Sequence, residues 1–285
     1  MTSCLKLDRV GRDGHIAARF ARRQERTVLA ASSYRQPLQI LAPLALENGA
    51  AYQMLLHPAG GVVAGDRLQT EIELEAETHV CLTTPAATRI YRAAADNNAA
   101  APAELTTEIR VGENAVLEYV PEAVVPHAGA YARQSLRLDL APGARALVWD
   151  AMASGRVEHG ERWQFRELDA SVAVYRDGRP IYLSRSRILP GALPPTRLGV
   201  MEQYDYAATW ALFADGDPRA WIAALREELA ALAGVHGGVS ALGCGGCLAR
   251  LLAVSADALA AAGQRLWALS RRLVLNLAPL DVRKY

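Results

Sequence analysis

The most constraining feature of this sequence is the run DRLQTEIELE at residues 66–75, in which two kinds of side chain alternate strictly. One set would share a single face of an extended chain: Leu68, Thr70, Ile72 and Leu74. The other set is glutamine and glutamate, and a repeat of two residues is typical of a strand with one buried face. Similar short segments, separated by turn residues, recur from about residue 15 to residue 190. This pattern predicts a mainly β fold.

The clearest turn between two such segments is Asp177-Gly178, which separates SVAVYR from RPIYLS. A two-residue Asp-Gly loop supplies the positive φ values that a tight hairpin requires. We therefore expect these two segments to form an antiparallel hairpin.

Helical periodicity is confined to two segments near the C-terminus. The first is predicted over residues 217–233, with Asp217 as its N-cap and Pro218 at its first position. The second is predicted over residues 255–273 and has leucines at helical spacing. Each segment is apolar on one side, which favours helices packed against sheets. The sequence thus predicts a β-sandwich-like single domain over residues 1–285, with two amphipathic helices near the C-terminus.

The charge balance of the chain argues against a protein that binds polyanions through an overall positive charge. There are 31 Lys and Arg residues against 30 Asp and Glu, a net charge of +1. Neither nucleic acid nor an anionic membrane surface is therefore expected as a partner. The N-terminal segment lacks the apolar stretch of a signal peptide, and the four cysteines are too few and too unevenly spaced for a disulfide framework. These features predict a cytoplasmic protein.

One stretch, residues 229–249, has about the length of a membrane span and contains no Asp, Glu, Lys or Arg. It also contains six glycines, each of which weakens a helix by about 1 kcal/mol relative to alanine. A helix end, a glycine turn and a strand are predicted here instead.

The sequence offers few signs of catalytic chemistry. Gly60 and Gly65 have the spacing of a phosphate-binding loop, but Asp66 takes the place of the essential lysine and a strand follows. We interpret Gly60, Gly61 and Gly65 as structural glycines in a connection between strands. No histidine pair has the spacing of a metalloprotease motif and no serine nucleophile elbow is present, so no catalytic residue is predicted.

Two short groupings contain metal-binding residue types. Cys244 and Cys247 form a lone C-x-x-C without the second ligand pair of a zinc site, so we interpret them as small residues of an apolar strand. His159 lies between Glu158 and Glu161, where solvent exposure is the simpler interpretation. No stable metal site is predicted.

Several long motifs, taken in order, resemble the UreD family of urease accessory proteins, also called UreH. They are LLHPAGGVVAGDRL at 55–68, LTTPAATRIYRA at 82–93, LEYVPEAVVPHAGA at 117–130, GARALVWDAMASGR at 143–156 and the C-terminal GVSALGCGGCLARLLAVSADAL. The likeness extends over nearly the whole chain. One departure is Ser184, which stands where members of the family often have a glutamate.

The resemblance implies a non-enzymatic role in urease maturation. Proteins of the UreD type bind apo-urease and UreF, and UreF recruits the GTPase UreG, so that the assembly delivers nickel to the urease active site. By this resemblance Ni²⁺ is in transit, no cofactor is bound stably, and GTP is bound only on UreG. Two competing interpretations are a β-rich metal-dependent enzyme that uses His127, His159 and Glu161, and a plain structural interaction module.

A passage for nickel needs oxygen ligands that bind weakly enough to release the cation. By the resemblance, the candidates are Asp66, Asp150 and Glu161. The alternative for Asp66 is a turn cap, and the alternative for Asp150 is an ion pair with an arginine such as Arg156.

A second group of residues is a candidate for partner binding: Thr88, Tyr91 and Arg92. Tyrosine and arginine are favoured anchors at protein interfaces. The alternative is the end of a strand with an ordinary surface pair.

Overall fold

The computed structural model describes residues 11–92, 101–243 and 245–281. In chain order its strands are β1 (Asp13–Arg23), β2 (Arg26–Arg35), β3 (Gln39–Ile40), β4 (Leu44–Ala45), β5 (Ala51–Leu56), β6 (Arg67–Leu74), β7 (His79–Thr83), β8 (Thr88–Ile90), β9 (Ala103–Val111), β10 (Val116–Tyr119), β11 (Val124–Pro126), β12 (Tyr131–Leu140), β13 (Arg145–Ala153), β14 (Glu167–Arg176), β15 (Arg179–Ile188), β16 (Tyr206–Phe213), β17 (Val235–Ala241) and β18 (Cys247–Ala253). The helices are α1 (Pro218–Ala230) and α2 (Ala256–Ser270). The prediction of a mainly β fold is confirmed, since strands hold 48% of the residues.

Two sheets form the sandwich. The seven-stranded sheet has the order β15-β14-β12-β9-β6-β1-β2, and the eleven-stranded sheet follows the path β17-β18-β16-β13-β10-β7-β5-β3, with β4, β8 and β11 beside it. From β6 to β14 the chain passes repeatedly from one sheet to the other. Within this part of the chain, neighbouring strands of a sheet therefore run in the same direction, and the pairs β6–β9, β9–β12, β7–β10 and β10–β13 are parallel.

The alternating run of the sequence becomes β6. Its residues Leu68, Thr70, Ile72 and Leu74 are buried and the residues between them are exposed. Its three buried apolar side chains join an apolar cluster between the two sheets that includes Phe20, Leu82 and Leu117.

A second apolar cluster lies between the eleven-stranded sheet and the two helices. It includes Trp149 and Trp210 from the sheet, Leu225 from α1 and Leu266 from α2. The indole Nε1 of Trp210 donates a hydrogen bond to Oγ of Ser270 at 2.9 Å. The eleven-stranded sheet is thus buried on both faces where the helices cover it.

The two predicted helices form with shorter α-helical spans. The first ends at Ala230 rather than residue 233, and Gly234 follows with a φ of +73°. The second begins after Ser255, whose hydroxyl accepts the Ala258 N–H at 3.1 Å. Its α-helical hydrogen bonding ends at Ser270, and one π-helical turn, Arg271–Leu275, completes the predicted length.

The predicted hairpin forms between β14 and β15, around Asp177-Gly178. Strands were expected over about residues 15–190, but three more, β16, β17 and β18, lie beyond this range. The glycine-rich stretch was expected to contain a strand, and β17 lies there. β16 was missed because most of its residues are buried on both faces, and such a strand has no alternating pattern.

Of the described helices, none is long and apolar enough to cross a bilayer.

The cap of α1 gives a test of the fold. The Asp217 carboxylate accepts the Arg219 N–H at 3.0 Å, so Asp217→Ala should lower the free energy of unfolding by about 1 kcal/mol. Asp217→Asn keeps an acceptor at the same place and should have little effect. Urea denaturation of both variants measures the difference, and equal stability of the two would contradict this capping role.

Candidate functional site

A cavity of about 550 Å³ lies between the sheets, at the edge formed by β15 and β17. Most of its lining is apolar or small. The polar residues of the lining are Gln134, Asp150, Ser184, Ser186, Thr209, His236 and Arg250. Among these described lining residues, Asp150 supplies the one carboxylate.

Asp150 occupies a position on β13 that points between the sheets. Its neighbours Trp149 and Ala151 belong to the cluster under the helices, and alternation along the strand turns Asp150 to the opposite face. The side chain is partly accessible because it faces the cavity, although protein surrounds it. A carboxylate therefore stands where a core strand would ordinarily have an apolar residue.

Burial governs the ionisation of Asp150. Loss of hydration raises the pKa of its carboxyl above the ordinary value. The nearby Tyr119 phenol has a pKa raised to about 12, first by burial and then by the negative charge of Asp150. The alternative ion pair with Arg156 is not formed, because Arg156 pairs with Glu161. Within the described part of the chain, no hydrogen bond or ion pair satisfies Asp150.

Asp66 lies outside this cavity and caps a turn. Its carboxylate accepts the Val63 N–H at 2.9 Å, and its own N–H donates to the Val63 carbonyl at 3.1 Å. The side chain is buried. Burial lowers the pKa of the neighbouring His57, while the charge of Asp66 acts in the opposite direction. The geometry thus matches the turn-cap alternative for Asp66.

Glu161 is held by an arginine and a backbone amide. It accepts the Nε–H of Arg156 at 2.9 Å, a second guanidinium N–H of the same residue, and the Ala128 N–H at 3.2 Å. The hydrogen bond from Arg156 is the main reason that its pKa is lowered to about 2. His159, of the alternative metal-dependent enzyme, is exposed. In the described ranges no three His, Cys, Asp or Glu side chains are arranged to hold a metal ion.

The loop that contains Gly60, Gly61 and Gly65 packs against residues 88–92. The Tyr91 hydroxyl donates to the Gly60 carbonyl at 3.1 Å. A Cβ on Gly61 would lie 2.4 Å from the Tyr91 ring and 2.8 Å from the Arg89 carbonyl. Gly60 and Gly65 have φ values of +80° and +90°, a region that favours glycine. Sequence reasoning treated the loop and Tyr91 separately and missed this contact.

A buried acidic residue, Glu118, was also missed. Its carboxylate accepts hydrogen bonds from His79 Nε2 at 2.7 Å, from Trp267 Nε1 at 2.5 Å and from the Arg271 guanidinium. Burial alone would raise the pKa of Glu118, but the hydrogen bonds and charges of these partners hold it below the ordinary value. Glu118 therefore ties β10 to the end of α2. The sequence signal is weak, since its partners are distant along the chain.

One cysteine of the C-x-x-C, Cys247, lies within the described residues. Cys247 is buried at the start of β18, and burial raises the pKa of its thiol to about 11. In the metal-free protein this thiol is therefore protonated at neutral pH. Cys244 lies outside the described residues.

Comparison with known proteins gives one consistent result. A family model described as UreD urease accessory protein matches residues 12–284. Three similar proteins are named urease accessory protein UreD. The one from Herpetosiphon aurantiacus is 33% identical and covers 100% of this chain and 99% of its own length. That from Delftia acidovorans is 36% identical over 88% of this chain and 86% of its own length, and that from Deinococcus radiodurans is 33% identical over 98% of each.

The unpaired state of Asp150 predicts an unusual effect on stability. Because its pKa is higher in the folded protein than in the unfolded chain, its contribution to stability is complete at low pH and is lost as the pH rises through the folded-state pKa. Asp150→Asn removes this cost and should stabilise the protein at pH 7 by about 1 kcal/mol.

The gain should shrink as the pH falls toward about 4, the ordinary pKa of an aspartate. Urea denaturation of both proteins across this pH range measures it. A variant that is less stable than the wild type at every pH would mean that the carboxylate has a stabilising partner.

Proposed function

The chain belongs to the UreD family of urease accessory proteins, and from this membership we propose that it delivers nickel during urease maturation. In this proposal it binds apo-urease and UreF, and through UreF it joins the GTPase UreG in the cytoplasm. It acts as a scaffold rather than an enzyme, and Ni²⁺ is its cargo.

The observation that supports nickel passage best is Asp150 in the cavity between the sheets. Nickel in transit is a hydrated cation of borderline softness, and hard oxygen ligands bind it without the tight hold of thiolates. Asp150 supplies a negative charge, and Gln134, Ser184 and Thr209 supply neutral oxygen atoms along the same lining. One carboxylate beside these neutral oxygen atoms attracts a cation without enclosing it, and the one arginine of the lining, the exposed Arg250, forms no ion pair with Asp150 among the described residues.

The electrostatics of Asp150 favour a transient cation. Ionised Asp150 has lost hydration and has no paired cation among the described residues. An arriving Ni²⁺ would supply the missing positive charge, and Coulomb attraction is stronger in the interior than in bulk water. Since protonation also relieves the unpaired charge, Ni²⁺ would compete with a proton for the same carboxylate.

The two other candidate carboxylates are already engaged. Asp66 accepts a backbone N–H in its turn and Glu161 accepts the guanidinium of Arg156. We therefore give Asp150 the principal role in the proposed passage. GTP is assigned to UreG, since the glycine loop of this chain leads into Asp66 and β6 and lacks the lysine and helix that phosphate binding requires.

Asp150→Asn tests the proposal. The substitution keeps the size of the side chain and removes its charge, so the accessory complex should assemble while nickel loading of urease falls to about a tenth or less of the wild-type level. Urease activity and nickel content are measured in cells that produce the variant with urease and the other accessory proteins. Asp217→Asn, at a residue that does not line the cavity, is the control for an equal change in charge. Normal nickel loading by Asp150→Asn, with the complex intact, would refute the passage.

Ser184 allows a gain-of-function test of the same cavity. Ser184 and Asp150 both line it, and the family resemblance associates the position of Ser184 with a glutamate. Ser184→Glu, placed in the Asp150→Asn background, returns a carboxylate to the lining and should restore part of the nickel loading. Ser184→Gln is the matched uncharged control. Equal loading by the glutamate and glutamine variants would count against a passage that depends on charge.

The cysteines should be dispensable for nickel delivery. A two-thiolate site lacks the remaining ligands of a closed metal site, and thiolate ligands would retain a cation that must move on. Cys244→Ala with Cys247→Ala should therefore leave urease activation largely unchanged. The measurement is urease activity beside the thermal midpoint of the purified complex. A double variant that folds and assembles but fails to activate urease would show that the thiols take part.

A further inference from the structure

A cluster of arginines surrounds the turn that follows β11, at residues 127–130. We call it the arginine surface, and its members are Arg89, Arg92, Arg156, Arg162 and Arg166. Arg89 is on β8, which pairs with β11. Arg92, Arg156 and Arg166 belong to the segments that flank the turn, as the contacts below show, and Arg162 directly follows Glu161, which accepts the Ala128 N–H. Arg156 is half-buried, and the other four side chains are exposed.

Contacts with the turn bring these arginines together. A Cβ placed on Gly129 would lie 3.2 Å from Cγ and Nε of Arg92, so the Arg92 side chain passes over this glycine. The Arg166 N–H donates to the Ala130 carbonyl at 2.8 Å, and its guanidinium lies over the Tyr131 ring at 4.3 Å. Arg92 and Arg166 therefore lie on the two sides of the turn.

The same charges act on the pKa of His127, at the start of the turn. Its pKa is lowered first by burial and then by Arg156, and Arg89 and His159 act in the same direction. Glu161 acts in the opposite direction. The Tyr91 ring packs edge-on against His127 with the ring centres 4.9 Å apart. A tyrosine and a neutral histidine thus lie among the arginines.

Among the described residues, the acidic side chains of this region are fewer than its arginines. Glu161 pairs with Arg156, and the buried Asp205 accepts Arg162 Nε at 2.7 Å. Glu158 is an exposed acid of the same loop. Arg89 and Arg92 have no ion-pair partner among the residues that the structure describes. Exposed guanidinium groups without internal partners can donate hydrogen bonds to the carboxylates of another molecule. The arginine surface can therefore bind an acidic ligand.

We propose that the arginine surface docks an acidic segment of a protein partner, a proposal that rests on the scaffold role proposed above. Charge complementarity selects the acidic partner. Arginine and tyrosine are the residue types favoured as interface anchors. The near-zero net charge of the whole chain means that attraction is local to this surface, so a long polyanion gains little beyond it.

The arginine surface also lies close to the cavity. Val124 and Met152 pair in register and both line the cavity, and the chain reaches His127 and Arg156 three and four residues later. At about 3.3 Å per extended residue, His127 and Arg156 lie on the order of 10 Å along the chain from the lining residues Val124 and Met152. Docked carboxylates would therefore cancel positive charge close to the proposed path of a divalent cation.

Charge reversal of Arg89 and Arg92 tests the proposal. Arg89→Glu with Arg92→Glu is compared with Arg23→Glu with Arg179→Glu, which changes the net charge equally at exposed residues outside the surface. Each full-length protein is titrated against immobilised apo-urease and, separately, immobilised UreF. Titrations run at about 0.05 M and about 0.5 M NaCl, since salt screens exposed charges.

For at least one of these two probes we expect the surface variant to bind about tenfold or more weakly at low salt, and the control variant within about twofold of the wild type. Wild-type binding to that probe should weaken at high salt. Arg89→Lys with Arg92→Lys should retain most of the affinity because it keeps the charge.

Wild-type affinity for both probes in the surface variant would overturn the proposal while leaving the scaffold role intact. Failure of the wild type to bind either probe would overturn the scaffold role and this proposal together. A labelled single-stranded RNA whose binding is lost in the surface variant, with both protein probes unaffected, would assign the surface to nucleic acid and also overturn the proposal.

Discussion

Apolar contact between the two sheets is the constraint on which the rest of this structure depends. Each strand from β6 to β14 contributes one buried face to the same cluster, and residues such as Phe20, Leu82 and Leu117 are fully enclosed there. A core of this kind is normally close-packed. The cavity around Asp150 departs from that rule inside the same layer, where small residues such as Ala170, Ala207 and Ser184 replace larger ones. The proposed nickel site and the apolar core thus lie in the same layer between the sheets.

The polar interior has two carboxylates with opposite environments. Glu118 receives three hydrogen-bonded partners, and these outweigh the penalty of its burial. Asp150 receives none among the described residues, and its pKa moves in the other direction. The satisfied carboxylate lies beneath the helices and joins two elements, as a structural group does. The unsatisfied one faces open volume, which is where a transient ligand could meet it.

Local patterns in the sequence predicted much of the fold and less of the site. The alternation of β6, the Asp177-Gly178 hairpin and the cap at Asp217 are each encoded by residues a few positions apart. β16 escaped prediction because burial on both faces removes alternation. The family motifs indicated Asp150, but its cavity depends on β14, β15 and β17, whose approach no local pattern encodes. Arg156 was named as a possible ion-pair partner in the alternative interpretation of Asp150, whereas it pairs with Glu161, five residues away.

The repeated passage of the chain between the sheets has a consequence for how the protein is made. β1 pairs in parallel with β6, and β6 with β9, so outside the hairpins β1–β2 and β14–β15 most pairings in the seven-stranded sheet join segments that are distant along the chain. Topologies dominated by distant contacts fold slowly, because loop closure must precede the contacts that stabilise it. Until β14 has emerged and docked, β12 remains an open edge that other chains can pair with. Ribosomal synthesis order and the speed of late strand addition therefore govern how much of this protein escapes aggregation.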